Sequence, residues 1–118
     1  EEIDRQFDIR TIVVGDRVFS LEIYQIGESV GGVDYRKAKP KDLIYKPHYL
    51  PLNLEEKCVK LVKQLGLQYG ALDFLLGKDN SYYFLENNPS GAWKYVADYG
   101  DHPIQQAFAD LFNKVRLV

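Results

Sequence analysis

The sequence has no methionine, a single cysteine and a single tryptophan among its 118 residues. With Cys58 alone, no disulfide can close within the chain, which fits a reducing compartment and makes a cytoplasmic location the expectation. No apolar run approaches the ~20 residues that span a bilayer, and the N-terminus lacks the basic and then apolar segments of a signal peptide. A membrane partner is therefore not expected. An excess of one charge is missing as well: 15 basic against 17 acidic residues leave a net charge of −2, which gives nucleic acid no electrostatic footprint. The absence of Met and the opening Glu1-Glu2 lead to the expectation that the chain is a fragment of a longer protein, with any site in it being part of a larger one.

What is present is globular. Hydrophobic residues at 46% and charged residues at 27% are ordinary for a folded domain, and the length suits a single one covering residues 1–118. Two β-prone runs, Asp8 to Val14 and Arg17 to Tyr24, flank Gly15-Asp16 and read as a hairpin. Residues 25 to 52, rich in Gly and Pro and without a period, read as a long connection. Leu54, Cys58, Leu61, Val62 and Leu65 then recur at helical spacing, which predicts a helix over 54–65 with Asn53 as its cap and Gly66 as its stop. A second hairpin follows, Tyr69 to Leu76 and Ser81 to Glu86 around Gly77 to Asn80, apolar enough to predict burial on both faces. After an irregular segment to Tyr99, Pro103 opens a last helix whose stripe is Ile104, Ala107, Phe108, Leu111, Phe112 and Val115. Hairpins and helices in this order describe an α+β domain, an antiparallel β-sheet with flanking helices.

Two carboxylates interrupt the apolar runs of the second hairpin. A symmetrical turn centred on Lys78 and Asp79 pairs Asp73 with Phe84 and leaves it diagonal to Glu86, with Asn88 the next position on that side. Diagonal pairs stand roughly 7–8 Å apart, a gap two carboxylates can close around a hard cation, and two carboxylates with an amide oxygen suit Mg²⁺ shared with phosphate. The same residues also read as strand-end carboxylates touching water, with Asn88-Pro89-Ser90-Gly91 an ordinary turn, and a bulge would send Asp73 to the other face. Parity in the first hairpin places Arg10 with Ile12, Phe19 and Leu21, where a guanidinium wants an anion; pairing with Asp8 or reaching to solvent is the alternative. Arg36, in Asp34-Tyr35-Arg36, offers a second guanidinium, although a loop charge is usually just solvated, and Gly31-Gly32 could help a loop approach phosphate, a claim that no lone Gly-Gly carries. Cys58 reads as a buried structural thiol, His48 and His102 as loop residues without ligand spacing, and Trp93 as a packing residue.

The run Gly70-Ala-Leu-Asp73-Phe-Leu-Leu76, a short turn, and Tyr83-Phe-Leu-Glu86-Asn-Asn88-Pro-Ser-Gly91 resembles the metal-binding end of ATP-grasp ligases, and Asp8-Ile-Arg10 resembles their Asp-x-Arg element. Within that superfamily the chain is most similar to microviridin and graspetide-type peptide ligases, through Asp34-Tyr-Arg36, Leu50-Pro51 and Pro89-Ser-Gly-Ala-Trp93. The resemblance, over residues 7 to 112, implies the C-terminal lobe of an ATP-grasp fold, with the N-terminal lobes of the same enzyme absent from these 118 residues. It implies ATP with one or two Mg²⁺ ions held by Asp73, Glu86 and Asn88, and Leu85 and Leu75 as an apolar floor beneath the nucleotide. Arg10 and Arg36 would stabilise an acyl-phosphate. The implied activity is ligation of a peptide or small carboxylate to an amine or hydroxyl, by a protein that a homodimer would also suit. An amino-acid ligase of the glutamate-adding type and a non-catalytic nucleotide-binding module are the alternatives.

Overall fold

Alternating β-branched and aromatic residues around Gly15-Asp16 do form a hairpin. In the computed structural model, which describes residues 4–25, 43–88 and 92–114, β1 (Arg5–Val14) and β2 (Arg17–Gln25) pair with Arg10 opposite Leu21 and Ile12 opposite Phe19. Gly15 takes φ +62°, a region that a tight two-residue hairpin turn requires and that side chains disfavour. β2 also carries a strand missed by the sequence reading, β3 (Leu43–His48), inside the stretch taken for a connection. The proline Pro47 and the exposure of Ile44 and Lys46 hide it, and both belong to an edge strand.

Helix α1 (Leu52–Gln64) begins two residues earlier than predicted, because Pro51 presets the φ of a helix start and its carbonyl accepts the N–H groups of Leu54 and Glu55. Asn53 thus lies inside the helix rather than capping it. Its end is as expected: Gly66 at φ +75° donates to Lys63 O and Leu67 to Val62 O, closing the last turn in a Schellman motif. β4 (Tyr69–Gly77) then lies in the middle of the sheet against β1, and β5 (Tyr82–Asn88) forms the far edge, giving the antiparallel order β3-β2-β1-β4-β5. The expected double burial holds for β4 and fails for β5, where Phe84 and Leu85 are each 51% exposed, as befits an edge strand. Helix α2 (Lys94–Gly100) falls in the segment read as irregular; it is seven residues long with no side-chain cap, so it carries little sequence signal. Helix α3 (Ile104–Lys114) follows Pro103 as predicted, with Ile104, Ala107, Phe108 and Leu111 facing inward but Phe112 74% exposed. Val115 lies outside the described residues.

The helices cover the two faces of the sheet. On one face α1 lays Cys58 and Val62 over Phe7, Ile9, Val13, Leu72 and Phe74. Gly70 permits that approach, since a Cβ there would meet Val62 Cγ2 at 2.7 Å. On the other, α2 and α3 bring Val96, Ile104 and Ala107 onto Ile12, Val14, Phe19, Leu21 and Ala71. No helix among the described residues is long and apolar enough to cross a membrane.

Cys58 is 3% exposed, and burial, aided by Glu55, pushes its thiol up to about 11. At pH 8 the reactive thiolate is therefore scarce and shielded. Iodoacetamide should label the folded protein only as fast as it opens, and the denatured protein at once; rapid labelling of the native state would refute this packing.

Candidate functional site

Arg10, Asp73 and Glu86 stand in one row across three strands. Arg10 pairs with Asp73 between β1 and β4, and Asp73 with Glu86 between β4 and β5. Directly opposed residues share a face with Cβ atoms about 5 Å apart, closer than the diagonal spacing expected from the sequence. Two one-residue departures cancel to produce this. The turn is not symmetrical about Lys78-Asp79: Leu76 pairs with Tyr82, Gly77 N–H donates to Ser81 O, and Asn80 adopts φ +65°, the left-handed third residue of a longer hairpin loop. That register puts Phe84 opposite Phe74, where the rings meet edge to face at 5.6 Å on the α1 side. Leu85 then bulges out of the ladder between the Phe74 and Asp73 pairings. Without the bulge Glu86 would share the face of Phe84; with it, Glu86 returns to the face of Asp73.

The Arg10 guanidinium settles onto Asp73, with Nε donating to Oδ1 at 2.5 Å and Nη2 to Oδ2 at 3.4 Å; Nη1 reaches Ala92 O at 3.4 Å. The anionic partner of Arg10 is thus Asp73 and not Asp8, which pairs with Arg5 at 2.5 Å. The Arg10–Asp73 side chains are only 19% and 21% exposed, so this pair is screened less than an ordinary surface bridge. Glu86 is exposed and has no hydrogen-bond or ion-pair partner among the described residues. Asn88 closes the strand opposite Ala71. Arg36, Gly31-Gly32 and Pro89 to Gly91 lie outside the described residues.

Above the row opens a cleft of ≈ 270 Å³, lined by Asp8, Arg10, Asp73, Leu85, Glu86 and Tyr95 among others. Leu85 lines it, whereas Leu75 is buried at 2% exposure and takes no part in the lining. Asp8 and Tyr95 are cleft residues that sequence reasoning did not assign. Asp8 sits two positions before Arg10 on the same strand face, a signal available from parity. Tyr95 belongs to the short helix α2, which the sequence does not announce, and its ring lies 6.0 Å from the Arg10 guanidinium carbon. Burial raises the carboxyl of Asp8 from its ordinary value, with Arg5 pulling it down and the charge of Asp73 pushing it up. Burial likewise raises the phenol of Tyr95, against the pull of Arg10.

The remaining polar residues have other occupations. His48 Nδ1 meets Glu22 Oε2 at 2.6 Å and Nε2 meets the Tyr82 hydroxyl at 2.9 Å, beside Phe7 of the α1-side core. His102 Nε2 sits 2.7 Å from Ser20 O. Trp93 packs on Phe108 with ring centroids 5.1 Å apart, as a packing residue should. Among the described residues no group of three or more His, Cys, Asp or Glu could hold a metal ion. Asp73 and Glu86 supply two carboxylates at an open cleft, a donor set that suits Mg²⁺ sharing its coordination with phosphate oxygens and water rather than a closed protein cage.

No family model matches the chain, and no curated protein matches it. Solved structures do, and they define the class: the fold is that of one part of an ATP-grasp ligase. More particularly, the chain is similar to RiPP-associated members of that class. The macrocyclase MdnC of Microcystis aeruginosa MRC, bound with precursor peptide MdnA, is 32% identical with a TM-score of 0.75, covering 98% of this chain and 35% of its own. A RiPP-associated ATP-grasp ligase of Chryseobacterium gregarium, in complex with ADP and a leader and core peptide, is 27% identical with a TM-score of 0.79, over 97% of this chain and 35% of its own. The macrocyclase MdnB, from the same Microcystis, is 30% identical with a TM-score of 0.75, over 98% and 40%. The chain thus spans between a third and two fifths of the length of these relatives.

Proposed function

We propose that this chain supplies the metal- and phosphate-facing sheet of a longer ATP-dependent ligase. That ligase activates a peptide carboxylate as an acyl-phosphate and passes it to an amine or hydroxyl of the peptide. The observation that carries this reading is the cross-strand row of Arg10, Asp73 and Glu86 beneath an open cleft, with Glu86 lacking any partner among the described residues. The likeness to ligases held with ADP and with precursor peptides supports it.

In this reading Asp73 and Glu86, with Asn88 at the strand end, hold Mg²⁺. When bound with nucleotide, magnesium supplies neutralisation of the charge on the phosphates. Arg10, already aligned on this row, orients toward the transferred phosphoryl and stabilises the charge that grows there, and Arg36 is proposed to join it. Leu85, half-exposed at the bulge, gives the nucleotide an apolar contact. The sheet behind the row is packed on both faces and Arg10 is bonded to Asp73, so these two groups are held in place before substrate arrives.

The test is direct. The full-length protein, given Mg²⁺, ATP and synthetic peptides that carry Asp or Glu together with Ser, Thr or Lys, should convert a peptide to a product lighter by one water, with one ADP released per bond. Addition of a free amino acid to the peptide would instead make it an amino-acid ligase, and nucleotide binding without ADP release would make it a non-catalytic module.

A further inference from the structure

A cross-linking ligase needs a group to take the proton from the incoming amine or hydroxyl, and the metal row has none to spare: Asp73 is engaged by Arg10, and both it and Glu86 are assigned to the metal. The cleft holds a third carboxylate. Asp8 lines it, two residues before Arg10 on the same face of β1 and so about 7 Å along the strand. Opposite Leu75 in the β4 register, it stands diagonal to Asp73 and one row beyond the proposed phosphate contact. Its Oδ1 accepts from Arg5, while its Oδ2 has no hydrogen bond among the described residues. A nucleophile attacking a carbonyl held over the Arg10–Asp73–Glu86 row lies about 3 Å from that carbon, and a base must reach within another ~3 Å of it. The two steps together span the distance from the row to Asp8.

We infer that Asp8 is the general base of the transfer step, receiving the proton of the acceptor amine or hydroxyl. This rests on the proposed ligase reading. In the step, the acceptor lone pair forms a bond to the acyl carbon, and the electron pair of the carbon–oxygen bond to phosphate leaves with the phosphate. The acceptor proton passes to Asp8 Oδ2, which later returns it to water.

Activation and transfer can be read separately. Hydroxylamine captures acyl-phosphates without help from a base, so hydroxamate formation from ATP and a reactive peptide measures activation alone. In the full-length ligase, Asp8→Asn should retain hydroxamate formation within about twofold while formation of the cross-linked product falls about 10²-fold, and Asp8→Glu should regain part of that loss. Cross-linking by Asp8→Asn within threefold of the unsubstituted rate would overturn the assignment, as would a parallel fall in hydroxamate. Failure of the unsubstituted enzyme to release ADP with any peptide would overturn this inference together with the ligase reading, and is distinguished by occurring without substitution.

Discussion

Glu86→Gln in the full-length ligase should lower ATP-dependent ligation about 10³-fold, ~4 kcal/mol in the barrier, while the melting temperature stays within a degree or two of the parent. The expected size follows from what the substitution removes. Glu86 contributes one of the two carboxylates of the proposed metal row, and the amide that replaces it is a weak ligand for a hard cation. The fold should hardly notice, because Glu86 is exposed on an edge strand and its side chain makes no hydrogen bond or ion pair among the described residues for the amide to lose. Steady-state ligation assays beside thermal unfolding check both halves. Normal turnover would remove the metal role from Glu86, and loss of activity with loss of fold would make it structural.

Arg10→Ala should cost about 10²-fold in kcat, ~2.7 kcal/mol, with a smaller change in nucleotide affinity. The charge Arg10 answers is larger in the transition state than in bound ATP, so its removal weighs on the rate more than on ground-state binding. There is a structural share as well. With Arg10 gone, Asp73 keeps a carboxylate of low exposure beside the charge of Asp8 and without its bidentate partner, which should lower stability by about 1–3 kcal/mol in urea unfolding. An unchanged kcat accompanied by that loss of stability would confine Arg10 to holding Asp73.

Local chemistry made much of this legible. Gly15 with Asp16 fixes the first hairpin and so the company of Arg10; the apolar stripe and Gly66 fix α1; Pro103 fixes the start of α3. What escaped was whatever depends on the sheet as a whole. β3 is visible as a strand only because β2 is there to pair with it, and α2 exists because Val96 finds a core made by β1, β2 and β4. The site is the instructive case. Parity placed Asp73 and Glu86 on one face through a turn register that is one residue off, and the bulge at Leu85 supplies the compensating residue. Neither Asn80 in the left-handed region nor the bulge is announced by an apolar pattern, since Tyr82 to Leu85 is apolar at every position and fits either register. The pairing of Arg10 with Asp73 was beyond reach for another reason: β1 and β4 are far apart in the chain, and only the strand order β2-β1-β4 brings them side by side.

The most direct test of the account uses Mn²⁺ as a paramagnetic stand-in for Mg²⁺, added with ADP while the backbone amide resonances of the protein are followed. Broadening should be strongest at Asp73 and Glu86, reach Arg10 next, and vanish in Glu86→Gln. Broadening centred elsewhere, on the acidic turn of α1 at Glu55 and Glu56 for example, or undiminished in Glu86→Gln, would contradict the claim that this carboxylate row is where metal and nucleotide meet the sheet.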